Sequence, residues 1–242
     1  MSTERQRIEV SGIQVEIVRK DIKNLHLGVY PPNGRVRAAV PLRLGDEAVR
    51  LALVSRLGWI KRQRRAFLEQ ERQSEREMVT GETHYVEGRR CRLKVILHDG
   101  AAQVELRNNR TLILRVRPRL DTEQRLAVLE RWYRARLREH ACDLMVHWAG
   151  RLGVSVSDWG IKKMKTRWGT CNHDARRIWL NLELAKKPMQ CVEYIVVHEL
   201  VHILERHHND RFAVLMDQHL PDWRLRRDVL GRSPLAHEDW DY

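Results

Sequence analysis

His198-Glu199-Leu200-Val201-His202 is the stretch on which the reading of this 242-residue chain turns. The residues before it, 189–197, run Met-Gln-Cys-Val-Glu-Tyr-Ile-Val-Val and read as a largely buried helix, with Pro188 suited to its first turn. On a helix, positions i and i+4 lie one turn apart on one face. The rings of His198 and His202 can therefore reach one metal ion without distorting the backbone. Glu199 sits beside them, where its carboxylate can act on a water held by that ion. Two imidazoles and a carboxylate breaking into an apolar helix need a polar reason to be there, because burying them unpaired is costly.

Catalytic zinc commonly has three protein ligands and one open position. His208, six residues after His202, is the leading candidate for the third, with His207 beside it as the alternative. The resulting H-E-x-x-H-x-x-x-x-x-H spacing equals that of the metzincins. Those proteins carry a glycine where this chain has Glu205, so the turn after His202 has to be made differently. Imidazole ligands around an open site suit Zn2+, one per chain, with nickel, cobalt and manganese as alternatives. Glu193, Glu205 and Asp210 are the nearby carboxylates that could orient the histidine rings. His147, His173, His219 and His237 read as ordinary histidines.

Working outward, alternating apolar and polar residues at 8–17 and 35–40 predict strands with one buried face, separated by a turn at 31–34. From Asp46 the period becomes helical (Val49, Leu53, Leu57, Ile60, Phe67) and predicts one helix to about Met78, its far end, 69–77, almost wholly charged. Strands are expected at 91–97, 103–106 and 111–116, with hairpin turns at Asp99-Gly100 and Asn108-Asn109. Asp121 reads as the N-cap of a long helix to about Leu152. Strands at 160–166 and 177–184 precede the histidine helix. No internal repeat or low-complexity linker is visible. The expectation is an α+β fold: a β-rich N-terminal region with one long helix, 1–120, and a zincin-like helical region with a small edge sheet, 121–242, together forming one integrated structure.

A hydrophobic fraction of 43% and a charged fraction of 32% suit a globular protein. The apolar runs are too short to span a bilayer, and the N-terminus lacks an apolar signal-peptide core, so a cytoplasmic protein without a membrane partner is expected. Cys91, Cys142, Cys171 and Cys191 show no CxxC spacing, which argues against a disulfide framework and a cysteine zinc knuckle. The net charge of +13 permits an acidic partner such as nucleic acid, but the basic residues are spread over strands and helices alike rather than gathered in a reading module. The sequence implies no particular oligomeric state.

His198-Glu-Leu-Val-His202 with His208 and Phe212 resembles the YgjP-like family of metallopeptidases, relatives of the SprT and WLM zinc proteases. Arg167-Trp168-Gly169-Thr170-Cys171 is similar to that family's R-W-G-S-C, with threonine for the usual serine. Arg177-Ile178-Trp179-Leu180-Asn181 matches the strand ending in L-N that follows, and Trp59-Ile60 after Val40-Pro41 is a third point of likeness. Ala213 departs from the tryptophan often found after the equivalent of Phe212. The resemblance covers nearly the whole chain and implies metal ligands His198, His202 and His208, with Glu199 as general base. It also implies a protein or peptide substrate, with a DNA-associated protease of SprT/WLM type as the variant that the charge would allow. Hydrolysis of a non-peptide substrate uses the same water activation, whereas a purely structural metal site has no use for Glu199. Arg167, Trp168 and Asn181 read either as a packed hairpin edge or as a cleft wall that pairs with an extended peptide, where Arg167 could face the oxyanion. The tail from Pro234 to Tyr242 reads as a packed end or a lid.

Overall fold

The structure is a computed structural model that describes residues 5–30, 34–69, 77–164 and 167–232. The turn residues 31–33, most of the charged helix end (70–76), the last residues of the strand expected at 160–166, His237 and the tail 234–242 lie outside the described residues. The chain divides into two compact units, Met1–Arg72 with Pro234–Tyr242, and Gln73–Ser233. The boundary expected at 120/121 falls inside the second of these.

In the first unit β1 (Arg5–Val10), β2 (Ile13–Lys20), β3 (His26–Tyr30) and β4 (Arg35–Pro41) form a sheet in the order β1-β2-β4-β3. The alternation over 8–17 is not one strand but a hairpin. Ser11 and Gly12 take φ of 51° and 75°, and Val10 faces Ile13 across a two-residue turn. Val15, Ile17, Val36, Ala38 and Val40 pack with Val49, Leu53 and Ile60 from α1 (Asp46–Val54) and α2 (Leu57–Glu69). The single helix expected from Asp46 is broken at Ser55 and Arg56, where the Arg56 amide bonds Leu53 O and the Ser55 hydroxyl bonds Ala52 O. Met78 is not helical at all: it is fully buried with a φ of 57°.

The second unit opens with β5 (Thr83–Val86), β6 (Arg89–Leu97), β7 (Gln103–Arg107) and β8 (Thr111–Val116), in the order β5-β6-β8-β7. Both four-stranded sheets therefore have one topology: an antiparallel hairpin, a parallel pairing of its second strand with the fourth, and an antiparallel third strand at the edge. The opening turns match as well, since Glu87 and Gly88 take φ of 51° and 79°. This is an internal structural repeat not expected from the sequence, where the copies share little beyond the Val-x-Gly of the opening turn, Val10-Ser11-Gly12 and Val86-Glu87-Gly88.

The second copy's turn docks on the rest of its unit. The amides of Glu87 and Gly88 donate to Ala185 O and Lys186 O, both at 3.0 Å, and a Cβ on Gly88 would meet Pro188 Cγ at 2.6 Å. The Glu87 carboxylate takes Arg136 and His140 from α3 (Thr122–Leu152). As its residues predict, α3 starts at Asp121 with a complete capping box to Gln124 and ends at Gly153 in the left-handed region. Its stripe Leu129, Tyr133, Leu137, Ala141, Met145 and Trp148 is buried in the unit's core.

A third sheet, order β10-β11-β9, is built from β9 (Asp158–Lys162), β10 (Gly169–Asn172) and β11 (Arg177–Asn181). β10 lies between the strands expected at 160–166 and 177–184 and is the edge strand of this sheet. A short 3-10 helix (Leu182–Lys186) leads through Pro188 into α4 (Met189–Leu204), followed by α5 (Asp210–His219) and α6 (Trp223–Arg232). Ten residues of α4 are buried, so it is the central helix of this unit. The expected α+β architecture is the one found. Among the described residues no helix is long and apolar enough to cross a membrane.

Candidate active site

α4 carries the site: from Tyr194 to its end the helix is apolar except at His198, Glu199 and His202. One ring nitrogen each from His198, His202 and His208 lie within 4.8 Å of one another. His208 Nε2 stands 3.0 Å from His198 Nε2 and 3.1 Å from His202 Nε2. His207, the alternative, contributes its backbone amide to the Glu205 carboxylate instead, at 3.1 Å, and its ring is not in the cluster.

The turn that brings His208 back needs no glycine. Glu205 leaves the helix extended, with φ −141° and ψ 112°, so its side chain costs nothing there. Asn209 then caps α5 by accepting from the Phe212 amide at 3.0 Å. Phe212 lies under all three imidazoles, with centroid distances of 5.0, 4.8 and 4.7 Å to His198, His202 and His208.

The donor set fits a metal ion. His202 Nδ1 donates to the Glu205 carbonyl at 3.1 Å, which leaves the Nε2 lone pair pointing into the cluster. The backbone carbonyl of Glu205 thus orients a ring, in place of the carboxylates considered from sequence. Glu193 is turned away to Trp148 Nε1, 3.0 Å, and to Arg226. Burial and the neighbouring His202 and His208 push the His198 pKa down to about 3, so this ring is neutral and its lone pair is available. Four-coordinate ligands at 2.0–2.1 Å from zinc stand roughly 3.4 Å apart. The separations of His208 Nε2 from the other two rings need only a few tenths of an ångström of opening.

Glu199 is almost wholly buried, and β10 passes directly over its carboxylate. A Cβ on Gly169 would lie 2.5 Å from Glu199 Oε1 and 2.7 Å from its Cγ. Burial lifts the Glu199 pKa to about 8, partly offset by the charge of Arg167. Cys171, also on β10, is pushed up to about 11 by burial and by Glu199, which keeps it a thiol. These groups line a cleft of about 1090 Å³ between β10 and the helices of this unit.

The cleft wall is held by Asn181. Its side-chain amide donates to Met164 O and Arg167 O, each at 2.8 Å, and its oxygen accepts from Glu183 N at 3.2 Å. Its backbone amide donates to Trp168 O at 2.9 Å. Lys187, buried and with its pKa lowered to about 8 by desolvation, stands 5.2 Å over the Trp168 ring. Asn181→Ala would leave these buried groups unsatisfied. The expected loss is about 1–3 kcal/mol of unfolding free energy, read by denaturant titration.

Residues 23–233 match the family model of the YgjP-like metallopeptidase domain. The chain belongs to this family. As a YgjP-like metallopeptidase it is a hydrolase, and the match spans both compact units. The metallopeptidase zymogen of Pyrococcus abyssi abylysin is similar over 38% of this chain and 90% of its own, at 21% identity and a TM-score of 0.34, a likeness too slight to carry a functional argument. No curated protein matches the chain.

Several residues that shape this site were not singled out from the sequence. Tyr194 is four residues before His198 on the same face and edges its ring at 5.7 Å. His173, read as ordinary, lines the cleft and donates from Nδ1 to the His202 carbonyl at 3.2 Å. Helical spacing could have found Tyr194; nothing local to His173 points to its contact.

Proposed function

We propose that this YgjP-like protein is a zinc-dependent peptidase in which His198, His202 and His208 hold one Zn2+ and Glu199 is the general base. The carrying observation is the convergence of three imidazole nitrogens, those of His198 and His202 on α4 and that of His208 from the turn after it, with the buried Glu199 on the same helix. When bound, the ion would polarise the scissile carbonyl and lower the pKa of its water towards about 7. Glu199 takes the proton from the attacking water and returns it to the leaving amine. Its raised pKa suits a group that must hold that proton between the two steps. Tyr194, whose ring meets that of His198, lines the same cleft and is a donor available to the oxyanion. The free edge of β10 offers main-chain groups to an extended peptide, so that the scissile bond is presented across α4. Four free cysteines suit a reducing cytoplasm, where we place the protein.

The test is metal content together with proteolysis of an unfolded protein. About one zinc per chain is expected. Chelation should abolish cleavage, and added Zn2+ should restore it. Absence of any stoichiometric transition metal would overturn the reading.

A further inference from the structure

The cleft has a charge bias that water activation does not require. Arg167, Arg177, Arg206 and Arg227 line it, against Asp174 and Glu199. Two of the four are engaged only loosely. Arg177 pairs with Asp158 at 3.2 Å and Arg227 with Asp228 at 3.7 Å, all four side chains being about half exposed. Exposed pairs of this kind contribute little and exchange readily for another carboxylate. Arg167 and Arg206 have no ion pair among the described residues.

Their placement follows the track of a bound chain. Arg167 precedes β10 by two residues, and Arg177 faces Asn172 at its far end. At about 3.3 Å per residue, a segment of some five residues laid along β10 runs from near the level of Arg167 to that of Arg177 on the neighbouring strand. Arg206, on the turn after His202, and Arg227, on α6, line the same cleft from other elements.

We infer that this cleft selects polypeptide segments bearing Asp or Glu on both sides of the scissile bond, with Arg167 and Arg206 as the principal specificity determinants. The inference rests on the peptidase reading for the direction of the chain along β10. Planar guanidinium groups pair with carboxylates in two-point fashion, and a cleft lined by one sign of charge concentrates the complementary ligand. A basic groove could equally attract nucleic acid, but the aromatic rings here are not arranged as a base-stacking platform. Trp168 has Lys187 over its ring at 5.2 Å, Trp179 has Lys162 at 4.9 Å, and Tyr194 is stacked with Trp223.

The experiment uses the full chain carrying Glu199→Gln and loaded with Zn2+, so that binding is read without turnover. Short labelled peptides with one apolar centre, flanked by Glu, Gln or Lys, are titrated by fluorescence anisotropy at low and raised ionic strength. The Glu-flanked peptide should bind about tenfold or more tighter than the Gln-flanked one, and the Lys-flanked peptide weakest. The gap should narrow with salt. Adding Arg167→Gln or Arg206→Gln should weaken only the Glu-flanked peptide, severalfold each. Equal affinities, no binding, or a gap that survives both arginine substitutions overturns the inference. So does a single-stranded oligonucleotide that displaces the Glu-flanked peptide at lower concentration, which would make the cleft a nucleic-acid site. The same peptides are then given to the unsubstituted protein. A Glu-flanked peptide bound selectively but never cleaved removes the peptidase reading and leaves the selectivity standing, whereas cleavage without preference does the reverse.

Discussion

Glu199→Gln is expected to lower kcat for peptide hydrolysis by about 10²–10⁴-fold, the usual range for losing a positioned general base. The zinc content should stay at about one per chain, because the three imidazoles are untouched. The change is nearly isosteric, and the burial that raises the Glu199 pKa does not penalise a neutral amide. Neutral Gln should therefore fit without loss of stability. Steady-state kinetics, metal analysis and a thermal melt of the same preparation check the three parts. If cleavage persists undiminished with metal bound, the base is another group and the proposed role of Glu199 fails.

That prediction is drawn from five consecutive residues, and the ease with which they were read has a physical source. A metal site on one helix is a local object: i and i+4 share a face whatever the rest of the chain does. His208 lay close enough in sequence to be preferred to His207, with the resemblance in support, but the physical reason for the preference needed the loop. Only the folded turn shows the Glu205 carboxylate taking the His207 amide while Asn209 caps α5. The absence of a glycine at Glu205 was legible as a departure from the metzincin spacing. Its resolution, an extended residue in place of a left-handed one, depended on backbone angles that the sequence does not display.

The less legible parts are non-local or alternate between equivalent readings. The alternation over 8–17 changes phase at Ser11-Gly12, from apolar residues at 8 and 10 to apolar residues at 13, 15 and 17, and that dipeptide is a recognised punctuator, so this turn could have been found from the sequence. β10 is four residues long and rich in Gly, Thr and Asn, and without its partner β11 nothing distinguishes it from a loop. The repeated sheet topology is a matter of pairing order, which the few residues the copies share, such as Gly12 and Gly88 at the turns, do not display. Asn181 illustrates the same limit at one position. Its motif was visible, but its function as a clamp on Met164 and Arg167 emerges only when chain 17 and 14 positions upstream is folded back on it.

Gly169 is where the fold and the proposed chemistry meet. Its backbone is not in a conformation reserved for glycine, so an alanine there strains nothing by itself. The constraint is the space above Glu199. A methyl group would stand 2.5 Å from Oε1, 2.7 Å from Cγ and 2.8 Å from Cδ, too close for any real contact. One of two things must yield. β10 is tied to β11 from Gly169↔Leu180 to Asn172↔Arg177, and the segment before it is clamped by Asn181, so the strand has little freedom to retreat. The carboxylate is the softer partner and should rotate away from where it could act on water. A displacement of about 1 Å at a reacting group can cost roughly 10²-fold in rate. Gly169→Ala is therefore expected to lower kcat by about that factor with zinc bound and KM little changed. Gly169→Ala combined with Glu199→Gln should be no slower than Glu199→Gln alone, since the alanine acts through the group already removed. Losses that multiply in the double variant would show that Gly169 shapes the cleft independently of Glu199.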